Sequence, residues 1–599
     1  MQKKWQLKQI EESLIPKLPE YPALILRLLA NRGMTEPREI KNFFNPDYAN
    51  LSDPFLFSDM KKAVARIQGA VEKQEPICIY ADYDADAITA CAVVYLGLKK
   101  LGVRANYYIP DRFSEGYGLN IEAIKKLASE GNKLIITVDC GTNAVEEARL
   151  AQELGVDMII TDHHEITDGL PEALALLNPK NRQDNYPFPY LTGAGVAYKL
   201  VQALFRNLNS STSNPPHSPL VPRGDETAEE PPLRVRGGEG ELLTKGVLVG
   251  WEKWLLDLVA IGTVADLQPL TSENRLLVHF GLQVLNKTRW LGLQALIQVA
   301  GLDAQSRPFD TYTLGFLLAP RINAAGRIKH GNLAFQLLVA EDDNEAKQLA
   351  KELDELNSHR QTLTQQILSE AKSQVETKLD KKILLVASDN WPKGVVGLVA
   401  GKLTEEYNRP SLVIEKDGEK ATGSARSVND YDMVQALNYC QNLLQKYGGH
   451  AQAAGFALES KNIEAFYQKL LEYAEVAGYT PEPYEINIDS EVAAQDLTWD
   501  IYGYLAKFGP FGVGNPKPRF LAKNFKLLEA RQVGSDNQHL KLRCSLDGQE
   551  FNAIAFGKGF LTDILNSNKT FDAVFELESN EWNGHKELQL KIIDLNATQ

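Results

Sequence analysis

Cysteine is scarce in this chain. There are five in 599 residues, Cys78, Cys91, Cys140, Cys440 and Cys544, and no two form a CxxC pair. That spacing excludes a disulfide framework or a structural zinc finger and predicts reduced, mostly buried thiols. Long apolar runs are also missing. None approaches the roughly 20 residues that span a bilayer, and Met1-Gln-Lys-Lys-Trp5 lacks the apolar core of a signal peptide, so a cytoplasmic protein without membrane contact is expected. Nor is there a basic surplus. A net charge of −14 argues against a general coat for nucleic acid, so any contact with phosphates must come from local patches or from metal.

What is present is the composition of a soluble globular protein, 44% hydrophobic and 24% charged, long enough for about three to five domains. Residues 1–75 read as short helices broken at Asn31-Arg-Gly33 and Asn45-Pro46, an N-terminal covering segment with no chemistry of its own. From Pro76, apolar strands (Ile77 to Ala81, Leu134 to Val138, Met158 to Thr161, Leu174 to Leu177) alternate with helical stretches, which predicts an α/β fold with a parallel sheet and right-handed crossovers. Residues 76–340 form this domain, with an insertion at 207–242 whose Ser, Asn, Pro, Gly and Glu cannot bury a core, so it is expected to be disordered. A polar helix over 341–379, with apolar residues at Leu349, Leu353 and Leu356, connects to a second α/β region at 380–475. Short strands and turns over 484–599 predict a small all-β domain.

In parallel sheets ligands sit at the carboxyl ends of the strands. Those ends carry Asp82, Asp84 and Asp86, then Asp139, then Asp162-His163-His164, and the helical run from Leu255 ends at Asp266. If the first strand runs on past Ala81, residues two apart share a face and the first three acids converge. Alternatively, Asp82 or Asp84 caps a helix starting near Ala87. Two carboxylates about 4 Å apart repel by roughly 4 kcal/mol at an effective dielectric near 20, so such a cluster calls for divalent cations. Mixed carboxylates and imidazoles suit manganese or a similar ion. Two such ions, bridged by one carboxylate for which Asp139 is the candidate, can activate water for in-line phosphoryl displacement.

The residues also carry a resemblance. Asp82-Tyr-Asp-Ala-Asp86, Val138-Asp-Cys-Gly141, Thr161-Asp-His-His164 and Gly262-Thr-Val-Ala-Asp266 resemble the four successive motifs of the DHH phosphoesterase superfamily, and more narrowly its bacterial single-strand-specific exonucleases. Ile109 to Gly118, Asn178-Pro-Lys180, Gly193-Ala-Gly195, Pro320 to Arg327, Gly423-Ser-Ala-Arg-Ser427, Gly448-Gly-His450 and Phe508 to Pro516 resemble further signatures in family order, covering nearly the whole chain apart from the insertion. Two positions depart from the pattern: Ala87 stands where the family usually has Gly, and Pro392 where it commonly has His. No metal ligand is missing.

The resemblance implies a DHH catalytic domain joined by a long helix to a DHHA1 domain and an OB-like domain. It implies two Mn2+ ions, with Mg2+ as an alternative, held by Asp82, Asp84, Asp86, Asp139, His163 and Asp266. Asp162 supports the site and His164 stabilises the phosphate. Ser424 and Arg426 bind the 5′-phosphate, Arg112 reaches it from the catalytic lobe, Arg321, Asn323 and Arg327 border the cleft, and His450 faces the scissile phosphate. The implied activity is 5′-to-3′ degradation of single-stranded DNA to 5′-mononucleotides in recombination and repair, by a monomer working with a single-strand-binding protein and a helicase. The alternatives are a DHH phosphodiesterase of short RNA or cyclic dinucleotides, and a non-catalytic repair or replication scaffold. Read without the resemblance, Gly423 to Ser427 is a turn with a surface Arg. Ile501 to Ser545 holds eight basic residues against Glu529 and Asp536, interleaved with Phe508, Phe511, Phe520 and Phe525. That window predicts a single-strand surface of the OB type, with at least two of the four rings buried.

Overall fold

The computed structural model describes residues 3–112, 114–116, 118–167, 169–210, 250–582 and 584–598. The chain divides into two compact units, one made of 47–357 with 512–515, the other of 1–46, 358–511 and 516–599. Of the predicted insertion, 207–210 continue the helix Gly193–Ser210 and 211–242 lie outside the described residues. All five cysteines are buried and free. Among the described residues no helix is long and apolar enough to cross a membrane.

The unit over 47–357 is built on a five-stranded parallel sheet in the spatial order Ala105–Tyr108, Ile77–Ala81, Leu134–Val138, Asp157–Thr161, Ala175–Leu177. Ile77–Ala81 and Leu134–Val138 are buried at every position, as expected of parallel strands covered on both faces. Ile79, Ile136 and Ile159 face a core shared with the helices Ala85–Lys100, Gly193–Ser210 and Leu256–Ala265. Cys78, Ile135 and Ile160 face the helices Ile121–Ser129 and Val145–Glu153. The chain leaves Ile77–Ala81 toward one edge, then returns to its other side with Leu134–Val138. Strand order therefore reverses between these two, and the crevice at their carboxyl ends is a topological switch point. Asp82 follows one of these strands and Asp139 the other.

In the other unit a mixed sheet runs Leu444–His450, Ala453–Glu459, Lys420–Arg426, Ser411–Asp417, Leu384–Ser388, with only the last pair parallel. The strands from Ser490 onward form a barrel, because Phe520–Val533 pairs with both His539–Leu546 and Thr570–Trp582. Its core includes Phe508, Phe520, Phe525, Phe571 and Phe575, together with Ile25, Leu28 and Phe44 of the N-terminal helices. The strand Lys4–Leu7 pairs with Glu485–Ile488. The helix Asp343–Val375 carries the chain across the boundary at 357/358.

Candidate metal centre

The first strand does not run on through the acids. It ends at Ala81, and Asp84 caps the helix Ala85–Lys100, its Oδ1 accepting from the amides of Asp86 at 3.0 Å and Ala87 at 3.1 Å. The extended alternation of the three acids is thus replaced by a strand-to-helix turn. Free N–H groups at a helix start attract a carboxylate at that position. Asp86 instead reaches the crevice from the first helical turn. There its two oxygens accept from the amides of Gly193 (2.6 Å) and Ala194 (2.9 Å), at the start of the helix Gly193–Ser210.

His163 stands where the other ligands meet. Its Nε2 lies 3.0 Å from Asp139 Oδ1, 3.7 Å from Asp266 Oδ2 and 3.8 Å from Asp86 Oδ2. Asp86, His163 and Asp266 place one ligand atom each within 4.8 Å of one another, as do Asp139, His163 and His164. Asp139 takes a left-handed backbone, φ 60°, immediately after its strand. Its amide still donates to Thr161 O at 2.9 Å, so the chain turns sharply while keeping the sheet pairing.

Burial and mutual repulsion govern the acids. Burial, then the charges of Asp266 and Asp84, push the Asp86 carboxyl well above the carboxylate range. Burial, then Asp86, Asp84, Asp266 and Asp162, do the same to Asp139. Asp82, 1% exposed, rises to about 8 through burial and the charge of Asp84. Asp266 rises to about 6 through burial and Asp84, although Gln268 Nε2 donates to its Oδ2 at 3.1 Å. Burial lowers His163 to about 3, which leaves a neutral imidazole. Asp139 Oδ1, Asp82 Oδ1 and both His163 ring nitrogens are buried without a hydrogen-bond partner among the described residues. Such groups are costly to bury unless a cation takes up their lone pairs. The donor set of carboxylate oxygens and imidazole nitrogens fits a divalent metal of the manganese type.

Asp162 works differently. Its Oδ1 accepts from the amide of His163 (2.7 Å) and from Nδ1 of His164 (2.7 Å), and its Oδ2 from the amide of Thr142 (2.8 Å). Burial alone would raise Asp162, but the bond and charge of His164 overcome it and hold the carboxyl well below the usual range. Burial lowers His164 as well, yet Asp162 prevails and lifts it to about 9. The pair is therefore an orienting carboxylate and a cationic imidazole. Asn178 Nδ2 completes the shell, donating to Thr142 Oγ1 and to His164 O. Gly193, Ala194, Thr142 and Gln268 were not predicted as site residues. Three of them act through backbone N–H groups, and the Gly-Ala-Gly run was the sole sequence signal.

The other predicted residues are dispersed. The Arg112 guanidinium lies 5.2 Å over the Tyr83 ring, beside the acids. Asn323 Oδ1 accepts from the amide of Ala85 at 2.8 Å, and Arg327 lies one helical turn further on. Arg321 is paired with Asp354 at 2.9 Å and donates to Leu317 O, so its guanidinium is committed within the unit. In the second unit Gly423 to Arg426 is strand, not turn, because Lys420–Arg426 pairs with a neighbour on each side. Ser424 and Arg426 share one face, with Arg426 Nη1 donating to Ser424 Oγ at 3.2 Å. Across the sheet Arg426 aligns with Ala453 and His450, and Ser424 with Gly455 and Gly448. These rows share a face, so small residues leave the backbone open beside the arginine. In the barrel, Phe508, Phe520 and Phe525 are at most 1% exposed. These three belong to the core, which removes them from any stacking surface. Lys517 and Lys523 are ion-paired with Glu578 and Glu491, so part of the local positive charge is neutralised.

Three family models match the chain: the DHH family N-terminal domain over residues 76–220, the DHHA1 domain over 380–475 and the RecJ OB domain over 488–594. Fold and site thus define a phosphoesterase of the DHH class that carries DHHA1 and OB domains. The single-stranded-DNA-specific exonuclease RecJ of Bacillus subtilis is 37% identical over 99% of this chain and 70% of its own length. That of Escherichia coli is 32% identical over 99% of each chain. The crystal structure of RecJ from Thermus thermophilus in complex with Mn2+ superposes with a TM-score of 0.79 at 28% identity, covering 100% of this chain and 80% of that one. A second crystal structure of that protein is in complex with Mg2+. The chain belongs to the RecJ family of single-stranded-DNA-specific exonucleases.

Proposed function

We propose that this chain degrades single-stranded DNA from its 5′ end, releasing 5′-mononucleotides with Mn2+ as cofactor, and that it serves recombination and repair. The observation that carries the reading is the convergence of Asp86, Asp139, His163 and Asp266, from four different element ends, around buried lone pairs that lack protein partners. Asp86, Asp139, His163 and Asp266 hold the metal, with Asp84 beside them and Asp82 in support. Asp139 would be the candidate bridge if two ions bind, since it lies 3.0 Å from His163 Nε2 and the charges of Asp86, Asp84, Asp266 and Asp162 act on it. Bound metal supplies a water of lowered pKa and charge for the phosphoryl oxygens.

The remaining residues position and neutralise the substrate. Asp162 fixes His164 through Nδ1, leaving Nε2 of a cationic ring for a phosphate oxygen. Amides of Gly193 and Ala194 keep Asp86 oriented. Arg112, Asn323 and Arg327 border the acids on the catalytic unit. Ser424, Arg426 and His450 form one face of the DHHA1 sheet and take the 5′-phosphate, where a guanidinium beside a hydroxyl makes charge-assisted bonds. The working domains are then 76–340 for catalysis, 380–475 for the 5′ end and 484–599 for the trailing strand, following the segment 1–75 in the chain. A helicase and a single-strand-binding protein are the partners that supply such a substrate.

The test compares one oligonucleotide labelled at its 5′ or its 3′ end, with Mn2+ and with chelator. The 5′ label is expected to appear at once as mononucleotide, and only with metal. Early release of the 3′ label, or equal release in chelator, sinks the reading. A dinucleotide hydrolysed faster than a 20-mer would point to a short-substrate phosphodiesterase instead.

A further inference from the structure

Tyr312 and Phe316 are among the most exposed large side chains of the catalytic unit, at 58% and 67%. Their rings are stacked, with centroids 4.9 Å apart and planes 20° from parallel. Tyr312 immediately precedes and Phe316 lies within a π-helical turn, Thr313–Leu318, which leads directly into the helix Ala319–Ile328. π-Turns recur at functional sites because they re-aim side chains without ending the helix. On the inner side of this turn Thr313, Leu314 and Leu318 are buried, so the two rings are carried by a well-packed segment.

That segment is tied to the acids at two points. A Cβ built on Gly315 would lie 3.2 Å from Val264 Cγ1, so the turn rests on the last turn of the helix Leu256–Ala265, which Asp266 follows directly. Further along, Asn323 accepts from the amide of Ala85, which lies between Asp84 and Asp86. Seven residues of helix separate Phe316 from Asn323, about 10 Å along the axis. Leu267, next to Asp266, is 69% exposed as well.

A soluble chain gains nothing from presenting paired aromatic faces to water, and exposed apolar groups fixed beside a reactive centre mark a binding surface. The exonuclease reading supplies the occupant. Every nucleobase has a π-face, so stacking on aromatic rings holds a single strand whatever its sequence. We propose that Tyr312 and Phe316 form a stacking platform for a base of the bound single strand, a few nucleotides from the bond being cut. The proposal rests on the exonuclease reading and assigns two residues to substrate positioning. A base stacked inside a duplex has both faces covered by neighbouring pairs, so the rings also favour unpaired DNA.

The test uses the full chain and single strands carrying 2-aminopurine at successive positions from the 5′ end, with Ca2+ replacing Mn2+ so that the strand binds without turnover. Quenching by stacking is expected at one or two adjacent positions, and Tyr312→Ala with Phe316→Ala should abolish it there alone. With Mn2+, that double variant should raise KM for a single strand about tenfold while kcat stays within about twofold. Tyr312→Leu with Phe316→Leu, which keeps apolar volume without a π-face, should behave like the alanine pair and covers any folding loss. An abasic site at the quenched position should raise the wild-type KM and leave the variant unchanged. Identical quenching profiles, or an unchanged KM in both double variants, overturn the platform. A wild type that releases no nucleotide from single strands overturns the exonuclease reading instead, and the quenching profile still decides the platform.

Discussion

Replacing Gly193 with alanine probes the centre from behind, without changing the identity of any ligand. A Cβ at this position would fall 2.4 Å from Cβ, 2.6 Å from Cγ and 2.5 Å from Oδ1 of Asp139. Carbon atoms rest at about 3.5–4.0 Å, so more than 1 Å must be found. If Asp139 yields, its oxygen leaves the position 3.0 Å from His163 Nε2. If the helix Gly193–Ser210 yields, the amides of Gly193 and Ala194 withdraw from Asp86. Either movement displaces a metal-binding carboxylate. Overpacking of this kind costs about 1–3 kcal/mol of stability, and a misplacement near 1 Å costs roughly a hundredfold in rate. The assay is Mn2+-dependent nucleotide release from a single strand, together with Mn2+ affinity by calorimetry and a denaturant melt. Gly193→Ala should lose about two orders of magnitude in kcat and bind Mn2+ more weakly while remaining folded. Gly195→Ala is the control, since its nearest contact would be 3.3 Å, to Leu191 Cδ2. Wild-type rate and metal affinity in Gly193→Ala would refute the claim that Asp86 and Asp139 are held by this close approach.

Asp139→Asn should remove Mn2+-dependent hydrolysis while leaving single-strand binding measurable; turnover at excess manganese would contradict it. Arg426→Ala should raise KM about tenfold or more for 5′-phosphorylated strands and erase any preference over 5′-hydroxyl strands, since a hydrogen bond to a charged group is worth about 1.5–3 kcal/mol. Lys199, fully buried, contacts Glu273 at 2.5 Å. Lys199→Met should cost about 3–5 kcal/mol in denaturant unfolding, and Lys199→Met with Glu273→Leu should recover part of that loss. Asp257 is buried, and although Thr288, Trp290 and the Leu258 amide donate to it, burial raises its pKa from 3.8 to about 7. A carboxyl with a folded pKa above its unfolded one stabilises fully below the unfolded value and loses that contribution as pH rises through the folded one. The contribution of Asp257 to stability should therefore fall by roughly 3 kcal/mol between pH 4 and pH 7, and the difference between Asp257→Asn and the wild type in urea melts should change by that amount over the same range.

The catalytic sheet was legible because parallel strands covered on both faces read as unbroken apolar runs. Ala105–Tyr108 escaped for the opposite reason: it is a short edge strand with no buried residue. Gly423 to Ser427 reads as a turn in isolation, since its small residues have no strand propensity. It becomes strand because two neighbours pair with it, a cause that local sequence cannot carry. The barrel phenylalanines were ambiguous because a closed barrel and a stacking surface both interleave aromatics with lysines. The side that each ring faces follows from closure of Phe520–Val533 on Thr570–Trp582.

The run Asp82, Asp84, Asp86 shows where one-dimensional reasoning ends. Alternation places the three acids on one face if the strand runs on, with helix capping by Asp82 or Asp84 as the alternative; the turn after Ala81 realises the cap at Asp84 and gives each acid a different environment. Asp86 is held by two amides and points at His163; Asp84 spends Oδ1 on two amides of its own helix; Asp82 is buried with Oδ1 lacking a protein partner. If helix capping were Asp84's sole role, Asp84→Asn should cost little, because asparagine caps about as well as aspartate. If Asp84 also contributes charge to the metals, Asp84→Asn should preserve the melting midpoint and weaken Mn2+ binding. Calorimetry on that one variant separates the two roles. Unchanged Mn2+ affinity would assign Asp84 to the helix alone and leave Asp86, Asp139, His163 and Asp266 as the metal-binding set.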